Sequence, residues 1–413
     1  MKKILLSLLT LYNFIGYGQT WQAAANIPVP IRAGNTAAYS KNGDGFLFVV
    51  SGRDNNGNIT PKHQRYQMST NSWTDLADHP TGILGAATAI LKDSLYVIGG
   101  LRTTPGSAWR RVYKYSINEN TWSQAANFPV NLVDAKAVAY QDSLIYITGG
   151  YTGNTYVYNS HYNRWRTATP VLPGGSLSWF GFSVQDNTLV MLCGTDGFLS
   201  SNYYNTVRKG VIDQTDRSQI TWTEGTPFPG ATRTFFDAQL WKDGVIMTGG
   251  STDNTFETHS DECYVYDVRD DSWQMQPSKP TSWLTGNSGS VQHNGEWSLI
   301  CSSGFGTGYL SQTEIFSAVP LSTTENLANN CEWKDFKVVY GKYLTLRFCY
   351  NGYSKIDLKI TDHHGRIVRQ MTDIASGKGT QDVLIEKDSL PKGIYYCSLQ
   401  NQEAVVTRKI IVY

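Results

Sequence analysis

The chain writes one phrase twice, fifty residues apart: DSLYVIGG ends at Gly100 and DSLIYITGG ends at Gly150. A period of that size means one supersecondary unit repeated, each copy unable to bury its faces except against a neighbour. A third clear copy, DGVIMTGG, ends at Gly250; FLFVVSG at Gly52, LVMLCG at Gly194 and WSLICSS at Ser302–Ser303 are weaker versions. After each of the first five comes a tyrosine- or valine-containing run, a polar turn and a tryptophan: Trp73, Trp122, Trp165, Trp222 and Trp273. A small-residue run such as AKAVAY precedes each glycine phrase where the pattern is clear, so the unit reads as four short antiparallel strands. Six glycine points meet only five internal tryptophans, while TWQAAANIPVP supplies a sixth, Trp21, at the opposite end of the chain. The predicted fold is therefore all-β: a six-bladed propeller over residues 19–320, closed by its N-terminal strand.

The glycine pair with its spaced tryptophan resembles the kelch repeat, and the series of six resembles kelch propellers. That resemblance implies a fold rather than an activity, because such propellers include scaffolds, ligand-binding proteins and enzymes. It also implies that variable function belongs to one face, formed by the loops before strand one and between strands two and three.

Residues 331–413 read differently. Alternating runs (YLTLRFCY, SKIDLKITD, GRIVRQM, TQDVLIEK, GIYYCSLQ, AVVTRKIIVY) with Gly and Asn turns predict a small β-sandwich, after a polar linker at 321–330. Gly365-Arg366-Ile367-Val368, Leu390-Pro391-Lys392-Gly393-Ile394-Tyr395 and Lys409-Ile410 resemble, in order, the C-terminal sorting domain of type IX secretion substrates in Bacteroidetes-type bacteria. The Pro-Asn-Pro element that usually opens that family is absent here. The resemblance implies secretion machinery as a partner of residues 331–413, with the outer-membrane surface or the extracellular space as destination.

The N-terminus fits export. Lys2 and Lys3, the apolar run Ile4 to Ile15 and Gly16-Tyr17-Gly18 read as a signal peptide over residues 1–18. No segment after it predicts a transmembrane helix. Net charge is +1 and only 17% of residues are charged, which argues against a nucleic-acid partner. Six widely spaced cysteines lack a CxxC pair and predict no zinc cluster; Cys349 and Cys397 both fall in strand-like runs and could bridge.

Catalytic signatures are lacking: no HExxH, GxSxG, P-loop or dinucleotide glycine pattern occurs, and neither a cofactor nor a metal is expected. Aligning the blades on their glycine points places Arg32 and Arg233 at one position, with Val133 and Asp134 at the matching place in blade three. Trp179 and Phe180 lie nearby in blade four and Trp283 in blade six; the second loops add Trp109, Tyr203, Tyr204, Phe305 and Tyr309. Guanidiniums suit a carboxylate or sulfate, and aromatic faces suit sugar rings. Arg32, Asp134, Arg233, Trp179, Trp283, Trp109 and Tyr309 are thus the expected ligand-binding set. The expected function is an exported binding protein for a glycan or a surface protein. The alternative is a sugar-active enzyme resembling sialic acid mutarotases of the kelch class, in which acidic and basic side chains at the mouth interconvert anomers.

Overall fold

The computed structural model describes residues 19–102, 107–150, 152–171, 177–197, 202–242, 244–253, 257–317, 336–340, 343–350, 355–374, 379–386, 390–401 and 405–412. The expected signal peptide and linker both lie outside these residues. The described residues form strands and turns with no helix, and the chain divides into two compact units, Met1–Thr323 and Thr324–Tyr413.

In the first unit the strands form six antiparallel sheets. Five take their strands in chain order. The sixth combines three late strands with Thr20–Ala24, which pairs with Thr313–Ser317 so that Trp21 lies opposite Phe316. The ring therefore closes through the N-terminal strand, as the count of tryptophans requires. The innermost strands (Asn35–Lys41, Ala87–Leu91, Ala135–Tyr140, Gly181–Gln185, Asp237–Trp241 and Asn287–His293) each touch the next, and the last touches the first.

The repeated tryptophan acts as a tie between blades. Each indole N–H donates to the carbonyl four residues beyond the preceding blade's tryptophan. Trp73 bonds Ala25 at 2.8 Å, Trp122 bonds Ala77 at 2.8 Å, Trp165 bonds Ala126 at 2.9 Å and Trp273 bonds Thr226 at 2.9 Å. Trp222 makes a longer bond of 3.4 Å to Thr169, and Trp21 closes the circle on Pro277 at 2.7 Å. In four blades a turn residue adds a second tie. Asn71, Asn120, Asn163 and Asp271 each accept from the tyrosine five residues earlier and from a backbone N–H of the preceding blade. All four have positive φ, a conformation that Asn and Asp tolerate better than other side-chain-bearing residues.

The glycine phrase is explained by backbone geometry. Its last two residues have positive φ in every blade: Ser51-Gly52, Gly99-Gly100, Gly149-Gly150, Cys193-Gly194, Gly249-Gly250 and Ser303-Gly304. The sixth point is thus Ser303-Gly304, one residue later than the sequence alignment puts it. At Gly250 an added Cβ would stand 2.5 Å from the Thr234 carbonyl oxygen, so a second constraint, close approach, joins the dihedral one.

The second unit has a three-stranded sheet (Lys337–Tyr340, Tyr343–Tyr350, Gly379–Glu386) and a four-stranded sheet (Asp357–Asp362, Ile367–Met371, Gly393–Gln400, Val405–Val412). Leu344, Leu346 and Ile385 of one share a core with Leu358, Ile360, Leu399 and Ile410 of the other. Cys397 is a free buried thiol in that core, so the bridge to Cys349 left open by the sequence is not formed.

Candidate functional site

Just before each innermost strand the chain turns through one residue of left-handed backbone: Ala33, Gly85, Asp134, Trp179, Phe235 and Thr285. Three of their amides link neighbouring blades: Asp134 N–H donates to Gly85 O, Thr285 to Phe235 O and Ala33 to Thr285 O, each at 2.8 Å. These six residues ring the mouth of the central channel. Three of them are small; Asp134, Trp179 and Phe235 are not, so the mouth is lopsided. Trp179 and Phe235 stack with centroids 4.4 Å apart and planes 32° from parallel. Asp134 accepts a hydrogen bond from the Trp179 side chain.

Burial is the main influence on the Asp134 carboxyl and pushes its pKa up to about 6, against the lowering effects of the Trp179 bond and the Lys136 charge. A carboxyl in that range changes charge near neutrality, which suits either ligand recognition or proton transfer.

Below the mouth, a channel of about 300 Å³ runs between the inner strands. Mouth and channel share Gly34, Ala86, Lys136 and Gly286. Lys136 reaches Asp237 at 3.4 Å. Asp237 also accepts from Ser288 through its N–H at 3.1 Å and its hydroxyl at 2.7 Å, and from Gln239 at 3.3 Å. The channel wall is otherwise dominated by small residues such as Ala37, Ala87, Ala89 and Ala137, so these polar groups stand out.

The expected residues separate into groups. Asp134 and Trp179 meet at the mouth. Arg32 and Tyr309 meet on the adjoining loops, where the Arg32 guanidinium carbon lies 5.4 Å from the Tyr309 ring centroid and 5.0 Å from that of Phe305. Trp109 stands apart in blade two, with Arg102 and Arg111 over its ring.

Arg233 and Trp283 are each only 1% exposed and do not present their side chains to solvent. The glycine alignment misplaced Arg233. By backbone register Arg32 corresponds to Thr234, whereas Arg233 corresponds to Ile31, Ile83, Leu132, Leu177 and Trp283. The inner hairpins of blades one and six are longer than those of the other blades, so distance from the glycine point does not fix the slot. In that hydrophobic slot Arg233 donates to Gly249 O at 3.0 Å and pairs with Glu262, contacts that tie its own loop.

Phe235, Lys136 and Asp237 were missed. A signal existed for the last two, since each is a lone charge in an innermost strand whose counterparts are mostly small or apolar.

Known proteins agree with this architecture. Residues 84–129 match the kelch motif, and residues 342–413 match the secretion system C-terminal sorting domain. That domain indicates export through the type IX system, to the cell surface or the extracellular space. Beta-scruin and alpha-scruin of Limulus polyphemus are 39% and 40% identical over 57 residues, which is 14% of this chain. The match spans only 6% of the length of either scruin. The solved structure of YjhT superposes on 70% of this chain and 95% of its own, with a TM-score of 0.57 and 15% identity, a likeness of fold.

Proposed function

Because the chain is a kelch-motif β-propeller joined to a secretion-system C-terminal sorting domain, we propose that it is an exported binding protein whose ligand, a sugar, docks at the channel mouth. The observation that carries this reading is the asymmetry of the mouth ring. Ala33, Gly85 and Thr285 leave room on one side, while Asp134 and the Trp179–Phe235 stack present a carboxyl and an aromatic plate on the other. A sugar offers hydroxyls to the carboxyl and C–H faces to the rings. Lys136 and Asp237 beneath supply a donor and an acceptor for a group that reaches into the channel.

A glycan array probed with the full chain tests this. Asp134→Asn and Trp179→Ala are expected to abolish the binding seen with the parent; no glycan bound, or binding indifferent to both changes, rejects the reading.

Catalysis at the same place is the second reading, favoured by the Asp134 pKa of about 6. A carboxyl titrating there can exchange a proton with a sugar hydroxyl in anomer interconversion. NMR exchange rates on N-acetylneuraminate and common hexoses decide it, because rates equal to the uncatalysed ones exclude the activity.

A further inference from the structure

Blade two carries a second constellation on its loop between strands two and three. The stretch GLRTTPGSAWRR (100–111) contains three arginines and no acidic residue, in a protein whose net charge is only +1. Trp109, near its C-terminal end, is held by backbone on both sides: its N–H donates to Gly100 O at 2.9 Å, and its carbonyl accepts from Leu132 N–H at 3.0 Å. Arg110 and Arg111 are fixed likewise, since their carbonyls accept from Phe128 at 2.8 Å and from Gly99 at 2.9 Å.

On this rigid base the Arg102 guanidinium carbon lies 4.8 Å from the Trp109 ring centroid, and that of Arg111 lies 5.1 Å from it. Arg102, Arg110 and Arg111 are all exposed, and none has an acidic partner among the described residues. Elsewhere in the propeller, Arg233 pairs with Glu262 and Lys279 with Glu314. A guanidinium lying on an indole keeps its in-plane N–H groups directed outward, in the fork that fits two oxygens of one oxyanion. Two such cations beside one ring repel each other, and an anion between or across them relieves that repulsion.

From the Arg102–Trp109–Arg111 stack with Arg110 beside it, we infer a binding site for the carboxylate or sulfate groups of an acidic polysaccharide. Repeating oxyanions along one polymer would engage the three guanidiniums together. The site is distinct from the channel mouth, although Leu132, which pairs with Trp109, lies two residues before Asp134.

The full chain is passed over immobilised polygalacturonate, sulfated dextran, neutral dextran and polyphosphate. Retention on at least one of the two acidic polysaccharides, weakening with added salt, with none on neutral dextran, is expected. The combined change Arg102→Gln, Arg110→Gln and Arg111→Gln is expected to weaken that retention at least tenfold with an unchanged melting temperature. Removing exposed positive charge elsewhere, by Arg164→Gln with Arg166→Gln, is expected to leave it unaltered. The inference falls if no acidic polysaccharide is retained, if polyphosphate alone is retained, or if the two sets of changes act equally. Asp134→Asn reports on the mouth separately and leaves this retention intact, so failure of one site does not mimic failure of the other.

Discussion

Lys136 Nζ lies 3.4 Å from Asp237 Oδ1, joining the inner strands of blades three and five across 101 residues of sequence. The two ends differ in environment: the lysine side chain is 40% exposed and the aspartate 12%. Replacing Lys136 by Met is therefore expected to cost about 1 kcal/mol or less, as for other solvated pairs. Asp237→Ala also strands the Ser288 N–H and hydroxyl, and about 2 kcal/mol is expected. Urea denaturation of the two variants measures the difference, and equal losses would contradict this division of roles.

Asp134→Asn is expected to stabilise the protein while abolishing sugar binding. The folded carboxyl ionises near pH 6 and the unfolded one near 3.8, so between those values the folded state holds more protons. Stability contributed by this residue is full below pH 3.8 and is lost as pH rises through 6. Asparagine escapes that loss, still accepts from Trp179 and tolerates the positive φ. A gain of up to about 3 kcal/mol at pH 8, vanishing near pH 4, is expected in thermal or chemical melts.

Two histidines impose the opposite dependence. Burial lowers the pKa of both His63 and His79 to about 4, and their rings flank Trp122 between blades one and two. A folded pKa below the unfolded 6.5 means that protons bind the unfolded chain first. Their contribution is intact above pH 6.5 and is lost as pH falls through 4, by up to about 3 kcal/mol for each. His79 occupies the slot held by Phe128 and Phe228 in blades three and five. His79→Phe should thus flatten the acid limb of a stability–pH profile, and an unchanged limb would exclude the residue as its source.

The ring of indole bonds predicts an ordered series of losses. Trp122→Phe keeps most of the packing and removes the bond to Ala77 O, for an expected cost of about 1–2 kcal/mol. Trp222→Phe removes a bond already 3.4 Å long and should cost less. Deleting residues 19–24 removes the closing strand and exposes the edge at Thr313–Ser317, so this variant should aggregate or lose its cooperative transition. Calorimetry ranks the three.

Gly250→Ala tests the opening phrase. At φ +93° with the Thr234 carbonyl 2.5 Å from the new Cβ, an expected cost of about 3 kcal/mol or more follows from strain and clash together. A melting temperature within a degree of the parent would show that the second glycine is dispensable.

Much of the propeller was legible because its determinants are local and repeated. A residue pair at positive φ ending in glycine and a spaced tryptophan recur in every blade, and in four blades a tyrosine with Asn or Asp five residues on adds a further fixed offset; the tryptophan and tyrosine offsets report bonds that tie neighbouring blades. Ring closure by Trp21 could be read for the same reason: a missing copy at one end matches an extra one at the other. Register was harder. Arg233 looked like a partner of Arg32 because inner hairpins differ in length from blade to blade and glycine counting ignores that, and only the hydrogen bonds between blades show that it fills a hydrophobic slot.

By itself the sequence determined the kind of fold, the place where the ring closes and the sorting tail, since these depend on periodicity and on near neighbours along the chain. The tertiary structure alone decided which side chains share the channel. Six inner strands from across some 250 residues converge there, and whether Lys136 meets Asp237, Asp134 meets Trp179, or Trp179 meets Phe235 depends on blade rotation and register. No local pattern encodes those quantities, because no single blade has a channel.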